Sequence, residues 1–253
     1  MKLPIHSILI LAAAPICHAA TVSLPFTDDF NGASTSFTPG ATAPIGGTWS
    51  LTAGKYQSVN VAQNTSAALI QATNFVPGQN FTLTSTFTVT DISSVFSVGF
   101  AVLGTGANLQ TTGVNYYLAD VATDGTLRIG QFTAASFNNA APFFAGAAGI
   151  GTITATDVVT MTLDGVYTGS NLVMTLSASK NGGGTVSAST GTIAAPLSGN
   201  FFGLRNRNGA PSPPATDSMT VQFENFSMTQ VPEPSALLLG GIGAIALGLR
   251  RKR

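Results

Sequence analysis

Asp28 and Asp29, in Phe26-Thr-Asp-Asp-Phe-Asn-Gly32, and Glu224 and Asn225, in Val221-Gln-Phe-Glu-Asn-Phe226, carry side-chain oxygens that could gather around one cation. A calcium ion takes about six to eight oxygen ligands from carboxylates, amides and carbonyls, so these four form a candidate calcium site. The competing reading has Asp28 or Asp29 accept turn hydrogen bonds or face water. Five rings, Trp49, Tyr56, Tyr116, Tyr117 and Tyr167, are candidates for stacking on the apolar faces of sugars. Packing in the core or over sheet edges is the alternative for each. Arg205 and Arg207 lie two apart on one face and read as a solvated strand end, with a sugar acid as the other partner considered.

Residue types exclude other chemistries. Cys17, His6 and His18 all precede position 19, so the chain beyond has no thiol, disulfide or imidazole for nucleophilic catalysis or zinc. Glu224 is the only Glu between residues 21 and 231. A paired-carboxylate hydrolase would therefore need aspartates, such as Asp120 with Asp124 beside a turn glycine. Over the same span five cations (Lys55, Arg128, Lys180, Arg205, Arg207) meet nine carboxylates (Asp28, Asp29, Asp91, Asp120, Asp124, Asp157, Asp164, Asp217, Glu224), a net charge of −4. No basic patch is present to hold a polyanion, which argues against nucleic acid as a partner.

The elements that must position these residues are strands. In Phe81–Asp91, Phe81, Leu83, Phe87 and Val89 share one face, while Thr82, Thr84, Thr86, Thr88 and Thr90 share the other. A period of two with threonine outward is a half-buried strand. The same reading gives strands over 49–52, 56–62, 68–73, 95–103, 114–122, 126–133, 158–163, 171–179, 185–190, 201–205 and 218–228. Turns are expected at Pro77-Gly78, Asp124-Gly125, Asp164-Gly165, Asn181-Gly182 and Asn208-Gly209. Phe143-Phe144 falls in an Ala/Gly-rich stretch read as a long loop. Where apolar phase switches, between Phe223 and Phe226 and between Ile129 and Phe132, a β-bulge near Glu224-Asn225 and another near Gly130 are expected. Many short strands separated by turns predict a single all-β sandwich over residues 21–230.

Each end of the chain reads as an address. Lys2, the apolar run Ile5–Ile16 and Cys17-His18-Ala19-Ala20 predict a signal peptide over residues 1–20, cleaved at Ala19 or Ala20. Residues 231–253 read VPEPSALLLGGIGAIALGLRRKR. Fifteen charge-free residues, 235–249, would make a helix of roughly 22 Å, enough to span a thin or tilted membrane with help from snorkelling bases. Arg250, Arg251, Lys252 and Arg253 should stay cytoplasmic. Pro232, Glu233 and Pro234 keep the chain extended before the helix.

The order of Pro-Glu-Pro, apolar helix and basic cluster resembles the PEP-CTERM sorting signal. That resemblance implies a Gram-negative envelope, cell-surface or matrix protein with its tail first in the inner membrane. It further implies processing by an exosortase-type membrane transpeptidase and an association with exopolysaccharide and biofilm. The motifs Phe26–Gly32, Phe202-Gly-Leu-Arg-Asn206 and Val221–Phe226 resemble the concanavalin A-like, laminin G-like jelly roll. This implies a two-sheet antiparallel sandwich whose first and last strands pair. Glucanases of that fold carry E-x-D-x-x-E, which is absent here. The expected function is a non-enzymatic structural or glycan-associating component of an extracellular matrix. An aspartate-based carbohydrate-active enzyme and a self-associating scaffold are the alternatives.

Overall fold

The computed structural model describes residues 19–39, 47–61, 65–92, 95–109, 113–132, 141–147, 149–209 and 218–231. In chain order these form β1 (Ala20–Val22), β2 (Phe26–Asp28), β3 (Thr38–Pro39), β4 (Thr48–Thr52), β5 (Lys55–Val61) and β6 (Thr65–Ala72). Next come β7 (Asn80–Asp91), β8 (Phe96–Gly104), β9 (Tyr116–Ala122), β10 (Leu127–Phe132), β11 (Ala141–Ala147) and β12 (Val158–Thr168). β13 (Asn171–Lys180), β14 (Val186–Ser189), β15 (Ile193–Ala194), β16 (Phe201–Asn208) and β17 (Ser218–Val231) follow. No helix among the described residues is long and apolar enough to cross a membrane. The expected helix 235–249, the Pro232–Pro234 triplet, the four terminal bases and residues 1–18 lie outside the described residues.

The strands build two sheets. Sheet I runs β1-β6-β16-β8-β9-β10-β11, with β3 added to β6; sheet II runs β14-β13-β12-β7-β17-β5-β4, with β15 on β13 and β2 on β17. All pairings are antiparallel except β1 with β6, which is parallel. The last strand therefore pairs with β2, Phe226 opposite Asp28, and not with β1.

Alternation builds the core between the sheets. Leu83, Phe87, Val89, Met161, Leu163, Met174 and Leu176 of sheet II face Ile70, Val98, Phe100, Ala119, Phe202 and Leu204 of sheet I, all buried in one cluster. Aromatic pairs bridge the layers, Phe100 with Phe226 at 6.2 Å and Phe81 with Phe202 at 6.0 Å. Burying each such side chain stabilises the fold by about 1.5–3 kcal/mol, and a chain without disulfides depends on that sum. Within this apolar layer lies a patch of hydrogen bonds. Asn206 Oδ1 accepts from Asn60 Nδ2 at 2.6 Å and from Ser66 Oγ at 2.5 Å, while its Nδ2 donates to Ser58 Oγ at 2.9 Å. Ser58 and Asn60 belong to sheet II, Ser66 and Asn206 to sheet I, and all four are fully buried.

Both expected irregularities occur, for different reasons. On β17 the register against β7 slips between Phe223 and Asn225, so Phe223 and Phe226 both reach the core. The slip frees backbone groups that side chains recover. Ser85 Oγ donates to the Asn225 carbonyl at 2.6 Å, and the Thr86 N–H donates to Asn225 Oδ1 at 3.0 Å. Near Gly130 the slip is confined to the pairing with β11; β10 runs in unbroken register along β9. Phe132 is buried there because the outer face of sheet I holds a second apolar cluster with Tyr116, Leu118, Leu69 and Ala101.

Two expectations are corrected. Asp164-Gly165 is no turn, since β12 continues through it to Thr168. Gly165 is glycine because a Cβ there would sit 2.3 Å from the Phe81 ring lying over it. Residues 141–147, read as loop, form edge strand β11 on β10, where backbone pairing does not need a strong side-chain pattern. Asn181-Gly182 does turn as expected, with φ of +53° and +70°.

Replacing Asn206 by Ala would strand the buried Asn60 amide and the Ser66 hydroxyl without partners. The expected cost is about 3 kcal/mol, read in urea denaturation as a lower midpoint at unchanged slope.

Candidate functional site

The segment that leaves β2 is tied down by its own side chains. Asp28 Oδ1 accepts the Phe30 N–H at 2.9 Å and Asp28 Oδ2 accepts the Thr35 hydroxyl at 2.7 Å. Phe30 adopts φ +56° and buries its ring 5.3 Å from Tyr56 and 5.8 Å from Phe37. The loop thus stands as a fixed wall beside β17. Between them lies a groove of about 630 Å³. Thr27, Asp28, Asp29 and Ser34 line one side; Thr84, Thr86, Asn225 and Ser227 line the other. The Asn31 N–H holds the exposed Asp29 carboxyl below the usual carboxylate range, so it faces the groove ionised.

Three of the four calcium candidates therefore meet, and the fourth does not. The bulge turns both Glu224 and Asn225 outward, Glu224 towards β5 and Asn225 towards β7. Glu224 pairs with Lys55 Nζ at 2.9 Å. Asn225 Oδ1 is occupied by Thr86, and Asp28 and Asp29 by turn N–H and hydroxyl donors. No group of three or more acidic, His or Cys side chains among the described residues is placed to hold a metal ion. The residues do not fit calcium, and the turn-hydrogen-bond reading holds for both aspartates.

The groove is one end of a larger surface. In the register of sheet II, Ser187, Ser177, Thr162, Thr84, Ser227 and Thr27 stand opposite one another across six strands. A second row runs Ser189, Thr175, Asp164, Thr82, Thr229, and a third Ser179, Thr160, Thr86, Asn225. Strand geometry spaces such side chains by about 4.8 Å across the sheet and roughly 6.7 Å along it. Neighbours bond one another, Thr175 with Ser189 and Ser177 with Ser187 at 2.8 Å, Thr82 with Asp164 at 2.6 Å, and Thr84 with Ser227.

The stacking candidates are used internally. Tyr56, Tyr116, Tyr117 and Tyr167 are all buried, and half-buried Trp49 packs on Tyr56 at 4.9 Å and Phe223 at 5.9 Å. Tyr116 and Tyr117 do point to opposite faces, but each face has its own cluster: Tyr117 joins the inter-sheet core and Tyr116 stacks on Phe132 at 4.9 Å. The four tyrosines are thus buried packing residues, and Trp49 is packed on one side and partly open on the other.

A charged cluster occupies the outer face of sheet I. Arg128 makes a bidentate pair with Asp120, Nε to Oδ1 at 2.8 Å and Nη2 to Oδ2 at 2.9 Å. Arg205 Nη1 adds 3.2 Å to Asp120 Oδ2 and 3.4 Å to Ser97 Oγ, and its guanidinium lies 5.7 Å from the Phe132 ring centroid. Gly99 lies between Arg205 and Asp120 in register, and a Cβ on it would fall 2.7 Å from that of Asp120. Arg205 is only 1% exposed, which corrects the solvated strand end. Asp120 is wholly buried in this ion cluster, while Asp124 accepts the Thr126 N–H at 2.9 Å. Those two aspartates are not arranged as an acid–base pair. Ala19 is buried and Ala20 opens β1 opposite Ile70.

Comparison with known proteins gives two findings. The family model of the PEP-CTERM protein-sorting motif matches residues 230–253, so the chain carries that sorting signal. Among solved structures, peanut lectin with a bound nonapeptide superposes at TM-score 0.52 and 11% identity, covering 82% of this chain and 97% of that one. A protein of unknown function from Shewanella oneidensis gives 0.52 and 13%, covering 81% and 84%. The metal-free carbohydrate recognition domain of Emp46p gives 0.51 and 9%, covering 80% and 94%. The body has the lectin-like, concanavalin A-like jelly-roll fold. A search of the curated proteins found no match.

Titration should follow this geometry. No His lies beyond position 18. N–H donors lower Asp29 (Asn31), Asp124 (Thr126) and Asp157 (Thr154), so their contribution is present above the unfolded carboxylate value and lost as pH falls below about 4. Burial pushes Tyr116 and Tyr167 up to about 12, with nearby Arg205 opposing it at Tyr116. Their stabilisation is complete below the unfolded value near pH 10 and disappears as pH rises to about 12. Melting temperature against pH should be flat from about 5 to 9 and fall on both sides.

Proposed function

We propose that this is an exported, non-enzymatic matrix protein that the sorting signal delivers to the cell surface and whose outer sheet II face associates with polysaccharide. The observation that carries this is the hydroxyl-lined groove continuous with three cross-strand rows of hydroxyls. A polyhydroxylated chain offers the donors and acceptors that such a face exchanges, and the groove supplies an ionised carboxylate and an amide to orient it. Binding by hydrogen bonds in place of stacked rings accounts for the absence of exposed aromatic side chains among the candidates. The lectin-like fold supports the reading, as does the lack of any carboxyl pair with divided acid and base roles in the groove. In this account an exosortase-type transpeptidase processes the tail. Signal cleavage after Ala19 would leave Ala20 to open β1.

The same flat face could meet a second copy of itself, which is the scaffold reading. The two separate in one experiment with the full-length chain in nonionic detergent, passed over immobilised neutral polysaccharides and examined by sedimentation. Retention of a monomer, weakened about tenfold by Thr84→Val or Asp29→Asn, is expected. A chain that ignores every polysaccharide but sediments as an oligomer dispersed by Thr84→Val would replace polysaccharide association with self-assembly.

A further inference from the structure

On the outer face of sheet I, among the described residues, the guanidiniums outnumber the carboxylate they bond. Three guanidiniums, Arg128, Arg205 and Arg207, share the neighbourhood of one carboxylate, Asp120. Asp120 is already committed to three hydrogen bonds from Arg128 and Arg205. Arg207 stands two residues beyond Arg205 on the same face, opposite Thr65 of β6 and Ser97 of β8, so neither register neighbour is an acid. Arg207 enters no ion pair among the described residues.

Orphaned polar atoms mark the same spot. Among the described residues, Arg205 Nε, Arg207 Nε and Thr65 Oγ1 are buried atoms without a hydrogen-bond partner. A polar atom or charge out of water is costly unless paired, and three in adjacent positions around a guanidinium pair suit an anionic group. Desolvation first, then the neighbouring Arg205 and Arg128 cations, lower the pKa of Arg207 against the opposing pull of Asp120. Access exists, because Arg207 is partly exposed and the Arg128 side chain is 26% exposed.

We propose that Arg205 and Arg207, with Thr65 and Ser97 beside them, form a binding site for the carboxylate of an acidic sugar. A guanidinium donates two parallel hydrogen bonds to a carboxylate, and the partly exposed Arg207 is the fork an incoming ligand meets, with the buried Thr65 and Ser97 hydroxyls behind it. Asp120 and Arg128 are positioning residues that hold the Arg205 fork in place, and Phe132 backs it. That the anion is carried on a sugar chain rests on the polysaccharide-associating reading; that the site takes a carboxylate does not.

The test uses the full-length chain in nonionic detergent and the variant Arg207→Leu, with melting temperature and retention on immobilised polygalacturonate as readouts. Without ligand, Arg207→Leu should melt about 2–4 °C higher than the parent, because it removes an unpaired, partly desolvated cation. Millimolar galacturonate should raise the melting temperature of the parent and leave the variant unmoved. Polygalacturonate should retain the parent and release Arg207→Leu. A variant that melts lower would make Arg207 structural and overturn the site. A shift with inorganic sulfate but none with galacturonate would overturn the carboxylate assignment. Galacturonate binding without polymer retention would overturn the sugar chain as carrier, whatever neutral polysaccharides do at the sheet II groove.

Discussion

β17 is hydrogen-bonded along both edges, to β7 on one side and to β5 and then β2 on the other, so nothing in sheet II is independent of its register. A regular strand there would alternate strictly and could bury Phe223 or Phe226, but not both with their present neighbours. The single extra residue at Glu224-Asn225 changes the phase, and both rings enter the core. Phe226 then meets Phe26, Phe37 and Phe100, which anchor the β2 segment and join the sheets. The same residue step places Asn225 in the groove. Core packing and the candidate binding surface are consequences of one irregularity.

The two outer faces of the sandwich solve different problems. Sheet II is wet on its outside and satisfies its hydroxyls by letting neighbours bond along rows. Sheet I has a second apolar cluster on its outside, so β8 is buried along its whole length and carries Ser97 as its one polar side chain. Charges placed there lose much of their hydration, which makes the Asp120 pairing essential and the surplus guanidinium costly.

Much of this architecture was legible in the residues. Threonine alternation in β7 named both its faces, and the switch from Phe223 to Phe226 located the bulge. Asp28, Asp29 and Asn225, far apart in the sequence, line one groove. The split of Glu224 from Asn225 was not legible, because a bulge fixes where alternation breaks but not which strand each side chain leans towards. Asp164-Gly165 looked like a turn since the ring of Phe81, which requires that glycine, lies 84 positions away in the chain. The tyrosines were misjudged for a related reason: Tyr116 and Tyr117 show opposite faces locally, but nothing local reveals that sheet I is covered on both. Arg205 hid in the same way, its partner Asp120 lying two strands over across Gly99.

Apolar contacts hold two sheets together without saying where along each other they must rest, since sliding by a small step exchanges one greasy neighbour for another. The amides and hydroxyls of Ser58, Asn60, Ser66 and Asn206 are directional and act as a dowel through the layers. Asn206 sits in the chain between Arg205 and Arg207, with its side chain inward while theirs point out. Whatever fixes that amide also indexes the two guanidiniums on the opposite side of the strand. The hidden peg is a jig for the exterior, so the spacing of surface charge is machined from within.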